Sequence, residues 1–338
     1  MPNTDDLTGW VVGPEDDGFH DPGRHPWQME TFWVSFYVPE RKMSGWFYNQ
    51  FQPNQGETGL CNGGAFVWND EDEAPYHEVV EGLPLAAGCD LRDLQAPNGN
   101  HLQMLEPLHK YRVTRHDPGR FEAEMIFEAV MEPNPHPVGV APFWKGRHFD
   151  QAMHVTGELV LHGEKLEIDS LAVRDRSWSP RPPPGAPRPE PTPGAAPRKP
   201  IPKFALGYVL GTASAQDAFL AYSMMYEGTE RDEVTTGYLV RDGVWAHLVS
   251  GERHCIVEPG REWIWRIELD AIDTLGRELH AEGEMVSHQG RCGPTAGGSG
   301  NGLFHWQWDG AEGWGENQGG STLWYPRKEQ PKRRSWSS

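Results

Sequence analysis

The sequence has few cysteines and no long apolar run. No stretch approaches the roughly 20 consecutive apolar residues of a membrane-spanning helix, and the opening MPNTDDLTGW lacks the basic and apolar regions of a signal peptide. The four cysteines, Cys61, Cys89, Cys255 and Cys292, lie far apart and form no Cys-x-x-Cys pair. We therefore expect a cytoplasmic protein with free thiols and without a transmembrane segment, a zinc knuckle or a disulfide framework.

Positive charge is also scarce. The chain has 30 lysines and arginines against 49 aspartates and glutamates, a formal net charge of -19, so we expect neither nucleic acid nor an anionic membrane as a partner. No Gly-x-Ser-x-Gly motif occurs, and the glycine-rich run GGSGNG at 297–302 lacks the lysine and the following helix of a phosphate-binding loop. These absences argue against serine hydrolases and nucleotide-binding enzymes.

Short strands are the pattern that the sequence does contain. Its 39 glycines and 30 prolines interrupt the chain too often for long helices. Apolar and polar residues alternate in segments such as FEAEMIFEAVME at 121–132, and turn sequences at His162-Gly163 and Asp242-Gly243 join such segments. The sequence therefore predicts an all-β protein of sequential antiparallel strands.

A proline-rich segment divides these strands into two groups. Residues 179–203, SPRPPPGAPRPEPTPGAAPRKPIPK, are too rich in proline to pair in a sheet and too poor in apolar residues to pack. We predict an N-terminal domain over 1–178, a linker or insertion over 179–203, a C-terminal domain over 204–327 and a disordered tail over 328–338.

Three stretches carry a resemblance to a known family. They are METFWVSFYVPERKMSGWFYNQFQPN at 29–54, GRHFDQAMHVTGELVLHGEKLEIDSLAVRDRSWSPR at 146–181 and GAEGWGENQG at 310–319. In them the chain resembles carotenoid 1,2-hydratases of the hydroxyneurosporene synthase type and their uncharacterised AttH-like relatives, in a branch with an Arg-Asp-Arg-Ser-Trp motif. The resemblance implies two consecutive lipocalin-like antiparallel β-barrels with an apolar cavity at their interface, as in binders of small hydrophobic molecules.

Hydration or cyclisation of an alkene requires an acid that protonates carbon and a pocket that tolerates a cation. In RHFDQAMH at 147–154, strand alternation places His148, Asp150 and His154 on one face. We predict that burial raises the pKa of Asp150, the proton donor, while a neutral His148 holds the proton or positions water. This trio could instead bind zinc or be ordinary polar residues of a strand, but no further clustered imidazole or cysteine follows, so we expect no metal and no other cofactor.

Aromatic residues are abundant, with 15 tryptophans, 13 phenylalanines and 9 tyrosines. On two neighbouring predicted strands they alternate so that their π faces could line one wall of a pocket and stabilise positive charge, although core packing would explain them equally well. Two glutamates, one before the first of these strands and one in the glycine-rich GWGENQ, are alternative acids. The predicted substrate-binding residues are Glu30, Trp33, Tyr37, Trp46, Tyr48, His154, Trp178, Trp314 and Glu316.

The motif RDRSW at 174–178 also alternates between two faces. Arg174 and Arg176 point one way and Asp175 points the other. We predict that the two arginines belong to a buried network that ties the two barrels together, and that Trp178 closes a barrel end. Asp175 is a second candidate proton donor, but a neighbouring arginine would favour its ionised form, which is the wrong direction for protonating carbon.

These features together predict a cofactor-free hydratase or cyclase/isomerase. It would act by acid catalysis on a hydrophobic isoprenoid- or steroid-like substrate in an aromatic-lined cavity. The alternative is a noncatalytic carrier of a lipophilic molecule that uses the same cavity without an acid. The sequence makes no prediction about the oligomeric state.

Overall fold

A computed structural model describes residues 10–70, 74–136, 146–182, 204–229, 231–258, 263–290 and 301–319 of the chain. Within these ranges the protein consists of β-strands with two short 3-10 turns, Pro14–Asp17 and Pro39–Arg41, and no α-helix. The all-β prediction is therefore confirmed. The described part of the chain contains no helix with the length and hydrophobicity that a membrane span requires.

The first half of the chain forms a curled, half-open barrel. Its spatial order is β4-β3-β2-β1-β11-β10-β8-β7-β6-β5, with the short β9 paired beside β8 on β10. The outer strands β4 and β5 do not pair with each other in the described residues, so this sheet keeps two edges. Its strands are β1 (Gln28–Val38), β2 (Met43–Gln52), β3 (Leu60–Trp68), β4 (Tyr76–Pro84), β5 (Asp93–Gln95), β6 (Asn100–Glu106), β7 (Lys110–Asp117), β8 (Phe121–Ala129), β9 (Asn134–Pro135), β10 (Arg147–Leu161) and β11 (Glu164–Pro180).

The second half forms a closed barrel of sequential strands, because β12 pairs with both β13 and the last strand β19. The two units together are the predicted pair of lipocalin-like domains. The strands of this barrel are β12 (Phe204–Thr212), β13 (Ala218–Tyr226), β14 (Glu233–Arg241), β15 (Val244–Glu258), β16 (Trp263–Asp273), β17 (Glu278–His288), β18 (Gly302–Trp308) and β19 (Ala311–Gly319).

The predicted linker begins later than its composition suggests. Strand β11 runs to Pro180, two residues into the proline-rich segment. Pro180 pairs with Gln28 at the start of β1, so this end of the strand lies within the sheet. The remainder, residues 183–203, and the predicted tail at 328–338 lie outside the described residues, and both assignments stay predictions.

The central strands of the first sheet are buried on both faces, and all 11 residues of β1 are inaccessible. One face packs inside the half-barrel, whereas the other packs against the outside of the second barrel. A fully buried large apolar side chain contributes about 2 kcal/mol relative to an exposed one, so this interface holds the domains together. Its apolar side chains are Trp33, Trp46, Phe66, Trp68, Val173, Tyr208, Leu210, Ala218, Leu220, Tyr238 and Val240.

The arginines of the RDRSW motif are buried, as predicted, but they do not join the two domains. Arg174 forms an ion pair with Asp17, and Arg176 forms one with Glu30. Arg174 also lies 4.3 Å from the ring centroid of Tyr111, inside the half-barrel. The prediction that this network ties the barrels together is wrong, because strand alternation turns both arginines away from the second barrel and toward the N-terminal segment.

Candidate active site

One row of side chains crosses five strands on the face of the first sheet that meets the second barrel. Trp33 of β1 pairs with Tyr48 of β2 on one side and with Asp175 of β11 on the other. Asp175 pairs in turn with Asp150 of β10, and Asp150 pairs with Asn134 of β9. Directly paired residues share a face, with Cβ atoms about 4.5–5.5 Å apart. The row therefore places two carboxyl groups side by side, between an indole and an amide.

A second row lies two residues further along the strands. Thr31 of β1 pairs with Ser177 of β11, and Ser177 pairs with His148 of β10. The backbone N–H of His136 donates a hydrogen bond to the carbonyl of His148 at 2.8 Å. The two imidazole rings stack with centroids 4.3 Å apart and an interplanar angle of 9°. Because side chains return to the same face at every second residue, these imidazoles lie beside Asp150.

We call His136, His148, Asp150 and Asp175 the polar cluster. Asp150 is fully buried, and its Oδ2 accepts a short hydrogen bond from His136 Nε2. His148 Nε2 lies 3.1 Å from Asp150 Oδ1 and 2.6 Å from Asp175 Oδ2. Thr31 completes the contacts of Asp175 by donating to its Oδ1 at 3.3 Å. A single imidazole therefore bridges two carboxyl groups.

Two tyrosines of the second barrel cover the polar cluster. Tyr208 of β12 and Tyr222 of β13 are paired, and their ring centroids lie 4.5 Å apart. The Tyr208 hydroxyl donates to Asp150 Oδ1 at 2.8 Å, and the Tyr222 hydroxyl lies 3.4 Å from His148 Nδ1. Burial is the main reason that the pKa of each tyrosine lies well above its ordinary value, so both hydroxyls are neutral. The site thus takes side chains from both domains.

The proton of the polar cluster resides on His148. Burial disfavours the imidazolium, but the carboxyl groups of Asp175 and Asp150 outweigh it and raise the pKa of His148 to about 10. Burial and the charge on His148 lower the pKa of His136, which is therefore neutral. Burial favours the protonated form of Asp150, yet the two histidines overcome it and hold the pKa of Asp150 below its ordinary value.

The prediction that the buried Asp150 has a raised pKa is therefore wrong, because the net shift is downward. Desolvation acts in the predicted direction, but Asp150 also accepts hydrogen bonds from both imidazoles and from Tyr208. Each of these donors stabilises the ionised carboxyl group. The proton of this cluster is therefore held by His148, and Asp150 is a carboxylate in contact with it.

The sequence correctly placed His148 and Asp150 on one face with His154, but the structure does not bring His154 into the polar cluster. Its side chain is 43% exposed and pairs with Asp169 at 2.7 Å. Two further predicted residues face the other side of the sheet. The Glu30 side chain contacts His20 and Arg176, and Trp178 stacks on His20 with ring centroids 3.6 Å apart.

Three predicted substrate-binding residues line a separate groove of about 560 Å³ at the seam between the domains. Tyr37 and His154 contribute from the first sheet, and Trp314 contributes from the second barrel. Thr212 also lines this groove, at the end of the same strand whose Tyr208 reaches Asp150. Strand β12 therefore runs from the polar cluster to the groove.

Glu316 of β19 lies at the interface between the domains. Trp46 Nε1 donates to both carboxyl oxygens, at 2.8 and 2.9 Å, and Ser44 donates to Oε1 at 3.0 Å. Gln318 Nε2 donates to Oε2 at 3.1 Å. Burial outweighs these donors and raises the pKa of Glu316 to about 7. The predicted role of Glu316 and Trp46 in substrate binding stays a prediction.

Sequence reasoning missed His136 and both covering tyrosines. His136 lies in PNPHP, where the prolines indicate a loop, and the strand that precedes it has only two residues. Tyr208 and Tyr222 lie in strands whose residues are apolar on both faces. This sequence pattern indicates a strand that is buried on both sides. Nothing in that signal indicates which residue of the first domain they contact.

The polar cluster also has the composition of a metal site. Ligand atoms of His136, His148 and Asp150 lie within 4.8 Å of one another, and all three residues are buried. Two imidazoles with a carboxylate are a donor set that zinc accepts. Each imidazole is also within hydrogen-bonding distance of the Asp150 carboxylate, so hydrogen bonds alone account for the arrangement as well.

Comparisons with known proteins agree with this fold. The family described as "Domain of unknown function (DUF7064)" matches residues 13–318, and no curated protein sequence matches the chain. An AttH-type protein from Nitrosomonas europaea is similar in structure, with a TM-score of 0.57 at 14% identity, covering 91% of this chain and 96% of that chain.

Two further solved structures are similar over most of their length. Kievitone hydratase from Nectria haematococca has a TM-score of 0.53 at 13% identity, covering 87% of this chain and 89% of that chain. CghA in complex with Sch210972 has a TM-score of 0.53 at 12% identity, covering 88% of this chain and 89% of that chain. At these identities the similarity establishes the fold alone.

Proposed function

We propose that this chain, which belongs to the DUF7064 family, is a hydratase or a cyclase/isomerase. It transfers a proton from the polar cluster to a hydrophobic substrate. The observation that carries this proposal is the buried His148 imidazole held between Asp150 and Asp175 at the domain interface. Burying charge is costly, and strongly perturbed pKa values concentrate at functional sites. The similarity to a hydratase fold supports the proposal.

The arrangement of charges suits a reaction that passes through a substrate cation. Before the reaction, His148 carries one positive charge beside two carboxyl groups. When the His148 proton moves to a substrate carbon, the carboxyl groups lose their counter-charge and stabilise the cation. Trp33, on the same face, offers a π surface to that cation.

The same imidazole can complete the reaction. After donating its proton, a neutral His148 can accept one from the water that attacks the cation, which gives a hydrated product. If it instead accepts a proton from a carbon next to the cation, the product is an isomer or a cyclised molecule. Asp150 and Asp175 remain carboxylates throughout and keep the imidazole oriented. We place an isoprenoid- or steroid-like substrate here because the surrounding interface is aromatic and apolar.

The test uses the substrate that the protein itself selects. The purified full chain is mixed with a lipid extract of its source cells, the captured molecule is identified by native mass spectrometry, and it is then incubated with the protein in heavy-oxygen water. Gain of the mass of labelled water establishes a hydratase. A rearranged product of unchanged mass establishes an isomerase or cyclase. An unaltered molecule refutes the enzyme and leaves a carrier.

A matched pair of variants tests the residues. Asp150→Asn removes the carboxylate that His148 contacts, and turnover should fall at least about 100-fold while capture of the molecule persists. Asp169→Asn is the control, because Asp169 also pairs with a histidine of β10 but is exposed and lies outside the polar cluster. Equal turnover in the two variants would exclude Asp150 from the chemistry.

A further inference from the structure

Asn134 is a buried amide that lacks a hydrogen-bond partner within the described part of the chain. Its side chain is 0% exposed, and neither Oδ1 nor Nδ2 has a partner among those residues. Asn49 of the same sheet is equally buried, but its Oδ1 accepts from Asn98 and Asn100, both at 3.0 Å, and its Nδ2 donates to the Phe32 carbonyl at 3.3 Å. A buried amide that is not paired destabilises the fold, so Asn134 requires an explanation that Asn49 does not.

The position of Asn134 supplies that explanation. It pairs directly with Asp150, and it lies two residues before His136 on the same face. On the other side of the two carboxyl groups in this row, the Nε1 of Trp33 is likewise buried and has no partner among the described residues. Polar groups with unused hydrogen-bonding capacity therefore lie on both sides of the two carboxyl groups.

The chemistry of these neighbours restricts what could bind. An amide offers one donor group and one acceptor, and a hydroxyl group satisfies both. An anion at this position would be repelled by the Asp150 carboxylate beside it, because the single positive charge on His148 is shared between two carboxyl groups. On the side of the second barrel, burial lowers the pKa of His247 to about 4, so this histidine adds no positive charge near His136. The ligand group that fits is neutral.

We infer that Asn134 forms a binding subsite for a neutral hydroxyl group of the substrate, next to the polar cluster. This inference rests on the proposed function, and it narrows the substrate class to hydroxylated hydrophobic molecules. A hydroxyl group bound at Asn134 fixes the substrate relative to His148, so it determines which carbon receives the proton. Asn134 is thus a positioning residue rather than a proton donor.

The experiment compares two probes that differ only at the proposed contact. 2-Naphthol has a neutral hydroxyl group at pH 7, and 2-methylnaphthalene replaces it with a methyl group of similar size. Binding of each probe to the full chain is measured by fluorescence titration. The wild type should bind 2-naphthol about tenfold more tightly, the effect of one well-formed hydrogen bond in a buried site.

Asn134→Leu is the test variant, because leucine has a similar size and no polar atom. The preference for 2-naphthol should disappear, with affinity for 2-methylnaphthalene unchanged or higher. The Tm should fall by no more than about 2 °C, since no internal hydrogen bond is lost. Asn49→Leu is the structural control, and its Tm should fall clearly because three hydrogen bonds are broken.

A preference that survives in Asn134→Leu overturns the inference, and so does a wild type that binds both probes equally or neither. A large fall in the Tm of Asn134→Leu also overturns it, because it would assign Asn134 a structural role. The binding assay involves no turnover. If the preference for 2-naphthol is lost in Asn134→Leu but the captured molecule emerges unaltered from the turnover assay, the subsite stands and the proposed enzyme is refuted. If the preference survives in Asn134→Leu and the captured molecule is converted, the subsite alone is refuted.

Discussion

Replacement of Glu316 by glutamine should remove a defined part of the pH dependence of stability. Burial raises the pKa of Glu316 from 4.5 to about 7, so the folded protein holds this proton more tightly than the unfolded chain does. The resulting stabilisation is complete below pH 4.5 and is lost as the pH rises to 7. A difference of about 2.5 units corresponds to about 3 kcal/mol. Glutamine cannot lose a proton, and its carbonyl can still accept from Trp46.

The assay is urea unfolding, followed by tryptophan fluorescence, of the wild type and Glu316→Gln at pH 5 and pH 8. The wild type should lose about 2.5 kcal/mol more stability than the variant between these two pH values, because a small part of the effect is already lost at pH 5. Any constant cost of the substitution cancels in this double difference, as do the contributions of all other titrating groups. Glu81→Gln on β4 is the control, because its side chain is exposed to solvent, and it should behave as the wild type does. Identical pH dependence in the wild type and Glu316→Gln would refute the reasoning.

Four further predictions concern the buried charges and the polar cluster. Arg174→Met leaves Asp17 buried without its counter-charge, and the free energy of unfolding should fall by about 3–5 kcal/mol in a denaturant titration, whereas a change below 1 kcal/mol would contradict an essential ion pair. Because the pKa of His148 is raised to about 10, kcat/KM should stay constant between pH 7 and pH 9 and fall above pH 10, and a decline centred near pH 6.5 would assign the proton to an unperturbed histidine. Tyr208→Phe removes the hydroxyl that donates to Asp150, and kcat should fall about tenfold with little change in KM. Dialysis against EDTA should leave turnover unchanged, and loss that zinc restores would show that His136, His148 and Asp150 hold a metal.

Strand alternation explains which parts of the site the sequence could predict. It placed His148 and Asp150 on one face, and it separated Arg174 and Arg176 from Asp175, because both inferences depend only on the two-residue repeat of one strand. These local assignments hold in the structure. The all-β class followed in the same way from strand patterns and turns along the whole chain, whereas the pair of lipocalin-like barrels was implied by the family resemblance.

The ionisation of Asp150 could not be predicted because its causes are remote in sequence. His136 lies 14 residues away, and Tyr208 lies 58 residues away in the other domain. Without them, burial alone gives the wrong sign for the pKa shift. The role of Arg174 was missed for a related reason, since its partner Asp17 lies 157 residues away in a short turn that no strand pattern marks.

The division of the site between two domains has a consequence for how activity arises. Asp150 and Tyr208 belong to units that the proline-rich segment separates, so neither half of the chain contains a complete site. Two separately produced halves should each be inert, and mixing them should restore activity in proportion to the complex that forms. Under the proposed function, docking of the domains would complete the site, because it places Tyr208 against Asp150 and Tyr222 against His148.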